Sequence, residues 1–260
     1  MSLMSDKAGL IFKAGALVLI ACLTSAWNPL EAFAHVRHYV WSTEYQTLPK
    51  NGAEVESYVT MKVPDGHHSN ANQWEYQEEL EYGVTDHFSA AHYERWQTVN
   101  KVEADAKDAT KYSGFKFEGK YRIGERGKYW VDPLLYFEIS RDPREKDIPL
   151  TLEEKIILSK DIGKFNVVYN QIMESGTGSH GRTEHEFTVG MNYEIFSELF
   201  LGMETKGQYW NPGSHKNEMT LGPTIAYEAK YFWIAAGALF GVNHHGDDYQ
   251  ARIIIGVPFL

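Results

Sequence analysis

From residue 54 to its last residue the chain alternates apolar and polar positions with period two. The final run is typical: Tyr249, Ala251, Ile253, Ile255, Val257 and Phe259 take one phase, while Gln250, Arg252 and Gly256 take the other. Successive side chains of a strand point to opposite faces, so each run predicts a strand with one apolar face and one that tolerates water. The pattern is sharpest where Phe115, Phe117, Tyr121 and Ile123 alternate with Lys116, Glu118, Lys120 and Arg122. Four charges interleaved with four large apolar groups cannot form a packed helix face. Two places break the rhythm. Glu78 falls out of phase within its run, and segment 88–97 has no clear phase, although turn signals bracket it.

The connections alternate as well. Short turns are predicted at 85–87, 124–128, 161–164, 196–198 and 228–230, and longer polar links at 64–72, 98–111, 141–149, 175–183, 211–217 and 243–248. Short turns on one rim and long loops on the other are the signature of an outer-membrane barrel, with the short rim facing the periplasm. Six long loops imply twelve strands and place both barrel ends at the short rim. The predicted fold is therefore all-β, an antiparallel transmembrane β-barrel over 54–260. A soluble β-sandwich is the competing fold.

The beginning of the chain does not belong to this series. Residues 1–34 have the layout of a cleaved signal peptide, with Lys7 and Lys13, an apolar run Ala14 to Leu23, and Ala32-Phe33-Ala34 before His35. A rival processing site, Leu19-Ile20-Ala21-Cys22, resembles a lipoprotein box that would lipidate Cys22. Cys22 is the chain's single cysteine, so the processed protein has no thiolate or disulfide chemistry. Residues 35–53 form a separate segment. Val36 to Leu48 reads as a short strand and Leu48-Pro49-Lys50-Asn51-Gly52 as a tight turn. A thirteenth wall strand would break the even count, so a short strand low in the wall or a segment folded into the lumen fits better.

Composition agrees with a membrane barrel. A mean hydropathy of −0.41 is low for a membrane protein, but only every second strand residue of a barrel meets lipid. A net charge of −10, from 35 acidic and 25 basic residues, excludes a nucleic-acid surface.

The terminal alternation leading to Phe259 and Leu260 resembles the assembly signal of bacterial outer-membrane barrels. The stretches Thr47-Leu48-Pro49-Lys50, Glu54-Val55-Glu56, Glu79-Leu80-Glu81-Tyr82-Gly83-Val84-Thr85-Asp86 and Lys128-Tyr129-Trp130-Val131-Asp132-Pro133-Leu134-Leu135-Tyr136-Phe137-Glu138 resemble a family of functionally uncharacterised outer-membrane β-barrels of Gram-negative bacteria. The resemblance implies an outer-membrane location, with membrane lipids and the barrel-assembly machinery as partners. It transfers no catalytic residue and no cofactor.

The candidate functional surface is the polar phase. It carries the acids Glu54, Glu56, Glu75, Glu79, Glu81, Glu118, Glu138, Glu153, Glu184, Glu186, Glu194, Glu204, Glu218 and Glu228, and the bases Lys62, Lys116, Lys120, Arg122, Lys155, Lys206 and Arg252. These charges either pair across strands and fill a narrow lumen, or line an acid-biased pore for small polar or cationic solutes. The first reading gives a non-conducting structural or interaction barrel, the second a channel or small-solute transporter. A second candidate is metal capture by loop histidines, His67, His68, His180, His215, His244 and His245, although no spacing repeats a zinc pattern. Hydrolytic chemistry lacks support. Gly176-Thr177-Gly178-Ser179-His180 is not a nucleophile elbow, and His185-Glu186 fails the H-E-x-x-H test.

Overall fold

A computed structural model describes residues 36–69, 71–100, 109–178, 181–209, 218–243 and 245–259. The signal-like segment and Cys22 lie outside these residues. Twelve strands run in sequence order: β1 (Ala53–Val63), β2 (Asn72–Thr85), β3 (Phe88–Asn100), β4 (Lys111–Arg122), β5 (Asp132–Arg141), β6 (Thr151–Ile162), β7 (Phe165–Gly176), β8 (Thr183–Phe196), β9 (Leu199–Tyr209), β10 (Glu218–Glu228), β11 (Trp233–Gly241) and β12 (Tyr249–Pro258). Each pairs antiparallel with its sequence neighbours, and β12 closes on β1 from Glu54↔Pro258 to Val63↔Tyr249. Closure satisfies the backbone groups of every strand within the ring, which is what a lipid environment demands.

The alternation maps onto the two faces of the wall. Leu80, Phe117, Leu135, Ile156, Met203, Ile225 and Ile253 are exposed on the outside, whereas Glu56, Glu79, Glu118, Glu138 and Glu204 are buried on the inside. An apolar surface of this extent around a closed ring needs lipid to cover it, so the competing β-sandwich is excluded. Tyr129, Trp130, Phe165, Phe196, Tyr231 and Phe232 stand exposed beside the short turns, as an aromatic girdle at the membrane boundary.

The two irregular places resolve together. β3 covers the phase-ambiguous segment, and its register against β4 shifts between Arg95 and Trp96. Glu78 points outward and faces Glu94 across the β2–β3 pair. The outward acids are hydrogen-bonded within the wall: Ser57 to Glu78, and Tyr112 and His92 to Glu94.

The strand reading of residues 36–48 is corrected. No strand lies between Val36 and Gly52; of the two places weighed for this segment, the contacts of Val40 and Thr43 with inward side chains put it in the lumen. The amides of Val40 to Thr43 and of Leu48 meet side chains of the wall, so they have no ladder to join. The tight turn does form: Gly52 donates to the Pro49 carbonyl at 2.8 Å, and Asn51 takes the left-handed conformation with φ 67°.

The two faces predict opposite responses to the same mutation. Ile253→Glu puts a carboxylate on the lipid face, where a basic residue at the midplane costs about 2–4 kcal/mol and an acid somewhat less. Thr220→Glu points inward beside Lys206, its partner across the β9–β10 pair. Heat-modifiable gel mobility after refolding into vesicles should show lost assembly for the first and retained assembly for the second. Equal tolerance of both would contradict the assignment of faces.

Candidate functional site in the barrel lumen

The lumen of the short-turn half is occupied by residues 36–52, and three kinds of contact hold them. The first is electrostatic. The Glu204 carboxylate on β9 accepts the backbone N–H groups of Val40 at 2.6 Å, Trp41 at 2.9 Å and Ser42 at 2.7 Å. Three convergent amides form an anion-binding concavity, here closed by a wall residue. Arg252 on β12 donates to the Val40 carbonyl at 3.2 Å and to Thr60 at 2.8 Å, and its guanidinium lies 5.7 Å from the centre of the Trp41 ring.

The second contact is amide-like pairing by asparagines of β7. The Asn170 side chain accepts from Thr43 N at 2.6 Å and donates to the Thr43 carbonyl at 3.0 Å, imitating a strand neighbour. The Tyr39 hydroxyl lies 2.8 Å from the Asn166 carbonyl. Nearer the rim, Tyr45 donates to the Gly124 carbonyl at 2.7 Å, Leu48 N donates to Ser89 Oγ at 2.8 Å, and Arg126 donates to the Tyr45 carbonyl.

The third contact is apolar. Tyr39 and Tyr45 pack against Leu134, Tyr136, Ile157 and Val168 of the inner wall, and Val36 and Val40 join Tyr58, Trp233, Ala235 and Ile254. Room for the rings comes from glycine. A Cβ on Gly190 would meet the Tyr39 ring at 2.5 Å, and one on Gly237 would meet Trp41 at 2.7 Å. The alternation rule assigns these inward positions to polar residues, yet here they are apolar or absent because they seat the inserted segment.

Around this plug the charged residues form a graded ladder. Lys120 bridges Glu81 at 2.9 Å and Glu118 at 3.3 Å, with side chains 2% exposed or less. Lys116 pairs with Glu138, and Lys155 with Glu153. Toward the long loops the pairs become wet: the Lys62–Glu75 side chains are 29% and 32% exposed, and Lys206, paired with Glu186, is 34% exposed. Glu218 lies at this mouth, where a Cβ on Gly246 would touch its carboxylate at 2.8 Å. Arg122 binds the Asp86 carbonyl at the short rim. The inner face therefore brings most of the sequence-predicted charges into pairs, while Glu204 and Arg252 are committed to the plug.

The loop histidines are only partly described. His67 and His68 sit in a short 3-10 turn whose Asp65 accepts His67 N and His68 Nδ1. A bond from Gly66 N to Asp248 at 2.6 Å ties this loop to the last one, which carries His245. His180, His215 and His244 lie outside the described residues. The sequence reading missed the plug seat, namely Asn166, Asn170, Gly190, Gly237 and the inward apolar groups. Their signal was apolar residues and glycines recurring in the polar phase.

No protein-family model and no curated protein matches the chain. Among solved structures, it is similar to an outer-membrane channel from Pseudomonas putida, with 11% identity and a TM-score of 0.54, covering 85% of this chain and all of that one. It is also similar to the NanC porin, with 14% identity and a TM-score of 0.52, covering 80% and 99%. The KdgM porin, a structure of which was solved in complex with disordered oligogalacturonate, matches at 9% identity and a TM-score of 0.50, covering 80% and 98%. At these identities the likeness is one of fold, and the fold is that of the outer-membrane β-barrels.

Proposed function

We propose that the protein is an outer-membrane channel for small polar or cationic solutes, with the N-terminal segment acting as an internal plug. The observation that carries this reading is the gradient of the lumen, from sealed ion pairs around the plug to half-wet ones at the long-loop mouth. A wet, charged vestibule leading to a non-covalent stopper is suited to gated passage. The acid excess of the inner face disfavours polyanions, in contrast to the oligogalacturonate held by the KdgM porin. The fold relatives favour transport over catalysis, although the fold alone does not exclude an enzyme. The rival reading is a non-conducting structural or interaction barrel, favoured by the extent of ion pairing inside the wall.

Planar bilayers separate the two readings. Glu204→Ala leaves three buried amides unmatched, at a cost of roughly 1–3 kcal/mol per orphaned group. Gly190→Leu drives a side chain into the space of the Tyr39 ring. Both variants should raise the open probability of cation-preferring unitary currents above that of the wild type. Silent membranes for the wild type and both variants, despite verified insertion, would leave the structural reading in place.

The plug should also respond to pH through His38 and Glu44. The His38 backbone N–H and ring Nδ1 lie 2.8 and 2.9 Å from the two Glu44 oxygens. Burial pulls the His38 pKa down, but the Glu44 charge and hydrogen bond outweigh it, and the net shift is upward from 6.5. Burial pushes the Glu44 carboxyl up, and His38 reverses this to a net lowering from 4.5. A raised histidine contributes stability that is complete below its free value and lost as pH rises through its bound one. A lowered carboxylate contributes above its free value and loses that contribution as pH falls through its bound one. Plug docking should thus be firmest between about pH 4.5 and 6.5 and should loosen as pH rises further, with Arg126 and Glu228 modulating His38 in opposite senses. Conductance recorded against pH should show this rise in wild type and lose it in His38→Ala; superimposable curves would remove the pair from the gating.

A further inference from the structure

The most acidic point of the inner wall lies on the first two strands, beside the seam where β1 meets β12. Glu54 faces Glu81 and Glu56 faces Glu79 across the β1–β2 pair, so like charges stand directly opposite each other twice in succession. Such pairing is destabilising unless something neutralises it. All four side chains are buried, each 1% exposed or less, and Glu118 of β4 joins them.

The available cations do not suffice. Arg37 of the plug reaches Glu56 at 3.4 Å, and Lys120 bridges Glu81 and Glu118. Five carboxyl groups share two cations, and Glu54 and Glu79 have no ion-pair partner among the described residues. Neutral donors take some of the remaining oxygens: Tyr58 donates to Glu56, with Glu79 Oε2 2.6 Å from the same hydroxyl, and Trp233 Nε1 donates to Glu54 at 3.0 Å. Yet Glu54 Oε2, Glu56 Oε1, Glu79 Oε1 and Glu81 Oε2 are buried and accept no hydrogen bond. An unmatched buried carboxylate oxygen is among the costliest groups a protein can hold.

Three carboxylates of this group also converge. One carboxylate oxygen from each of Glu56, Glu79 and Glu81 lies within 4.8 Å of the others, a spacing that one ion can bridge. The donors are all oxygen and all anionic, on rigid strands, with neither imidazole nor thiolate among them. That set selects a hard divalent ion over zinc or copper, and calcium over magnesium, because calcium accepts several carboxylates in irregular geometry while magnesium retains its waters. We propose that Glu56, Glu79 and Glu81, with Glu54 beside them, form a calcium site that cross-links β1 to β2 and anchors the plug through the Glu56–Arg37 pair. This site is independent of whether the barrel conducts.

The test uses the signal-free full chain folded in detergent micelles and freed of divalent ions, together with a parallel sample refolded in calcium chloride and desalted. Elemental analysis of the refolded sample should find one calcium per barrel. Titration of calcium into the ion-free sample should raise Tm and change tryptophan emission, because Trp233 touches Glu54. Magnesium should act only at far higher concentration. Glu79→Gln and Glu56→Gln should each weaken binding by about tenfold or more, since losing even a group that only orients a ligand costs that much. Glu79→Gln should also match or exceed the ion-free wild type in stability, since it removes a repulsion and breaks no ion pair. Glu153→Gln, which alters an acid already paired with Lys155, is the control and should bind as wild type. Absence of calcium from the refolded barrel, with stability that ignores calcium and rises instead as pH falls, would show that protons neutralise the cluster and would overturn the site.

Discussion

The structure depends on one constraint, that a strand in lipid has nowhere to place its backbone polar groups except on another strand. The pairing of β1 with β12 meets it, because without that seam two edges would face hydrocarbon. Closure then fixes everything side chains can do. Half of each strand's residues must be apolar and face outward, the other half face an enclosed space, and a slip of one residue would exchange the two sets. The matched registers on either side of β1 hold Glu54, Glu56 and Lys62 inward and Val55, Val59 and Met61 outward.

Twelve strands create a second problem, since the enclosed space is too wide for wall side chains to fill and too narrow to be left to bulk water without consequence. The chain answers with its own N-terminal segment. Strand-like pairing is unavailable in the lumen, so the segment's amides are met by side chains: a carboxylate for Val40 to Ser42, an amide for Thr43, a hydroxyl for Leu48. Each is a directional contact that would be lost to water on withdrawal, and none is covalent. The apolar seat of Leu134, Ile157 and Val168 adds burial of two tyrosine rings without adding charge. A segment held by exchangeable contacts is what the proposed gating requires, and a wall strand would not supply it.

Much of this was legible in the sequence. Period-two alternation and alternating loop length gave the strand number, the faces and the rim of each turn, because those features follow from local geometry alone. The plug was harder to read because Tyr39, Trp41 and Tyr45 alternate as a strand's residues do, and only the even-strand rule argued against a wall position. Its seat was hidden for a related reason. Gly190, Gly237 and Ile157 look like imperfections of a polar phase until something is placed against them. The outward Glu78 reads as an error of phase in one dimension, since its company of Ser57 and Glu94 comes from two neighbouring strands. Pair assignments such as Lys120 with Glu81 depend on register between β2, β3 and β4, which no single strand reveals.

The distribution of charge along the barrel axis ties these features together. Where the plug excludes water, an unpaired charge is expensive, and Lys120, Lys116 and Lys155 each sit against carboxylates. Toward the long loops water screens the side chains, and Glu184 and Glu218 stand beside the Lys206–Glu186 pair at a small cost in mutual repulsion. An acid excess can therefore be tolerated in two ways within one lumen, by solvent at the wide end and by counter-charges at the closed end. The buried group on β1 and β2 fits neither, being remote from water and short of cations. The position that breaks the pattern is the β1–β2 pair, where the proposed ion would tie to its neighbour the strand that closes on β12.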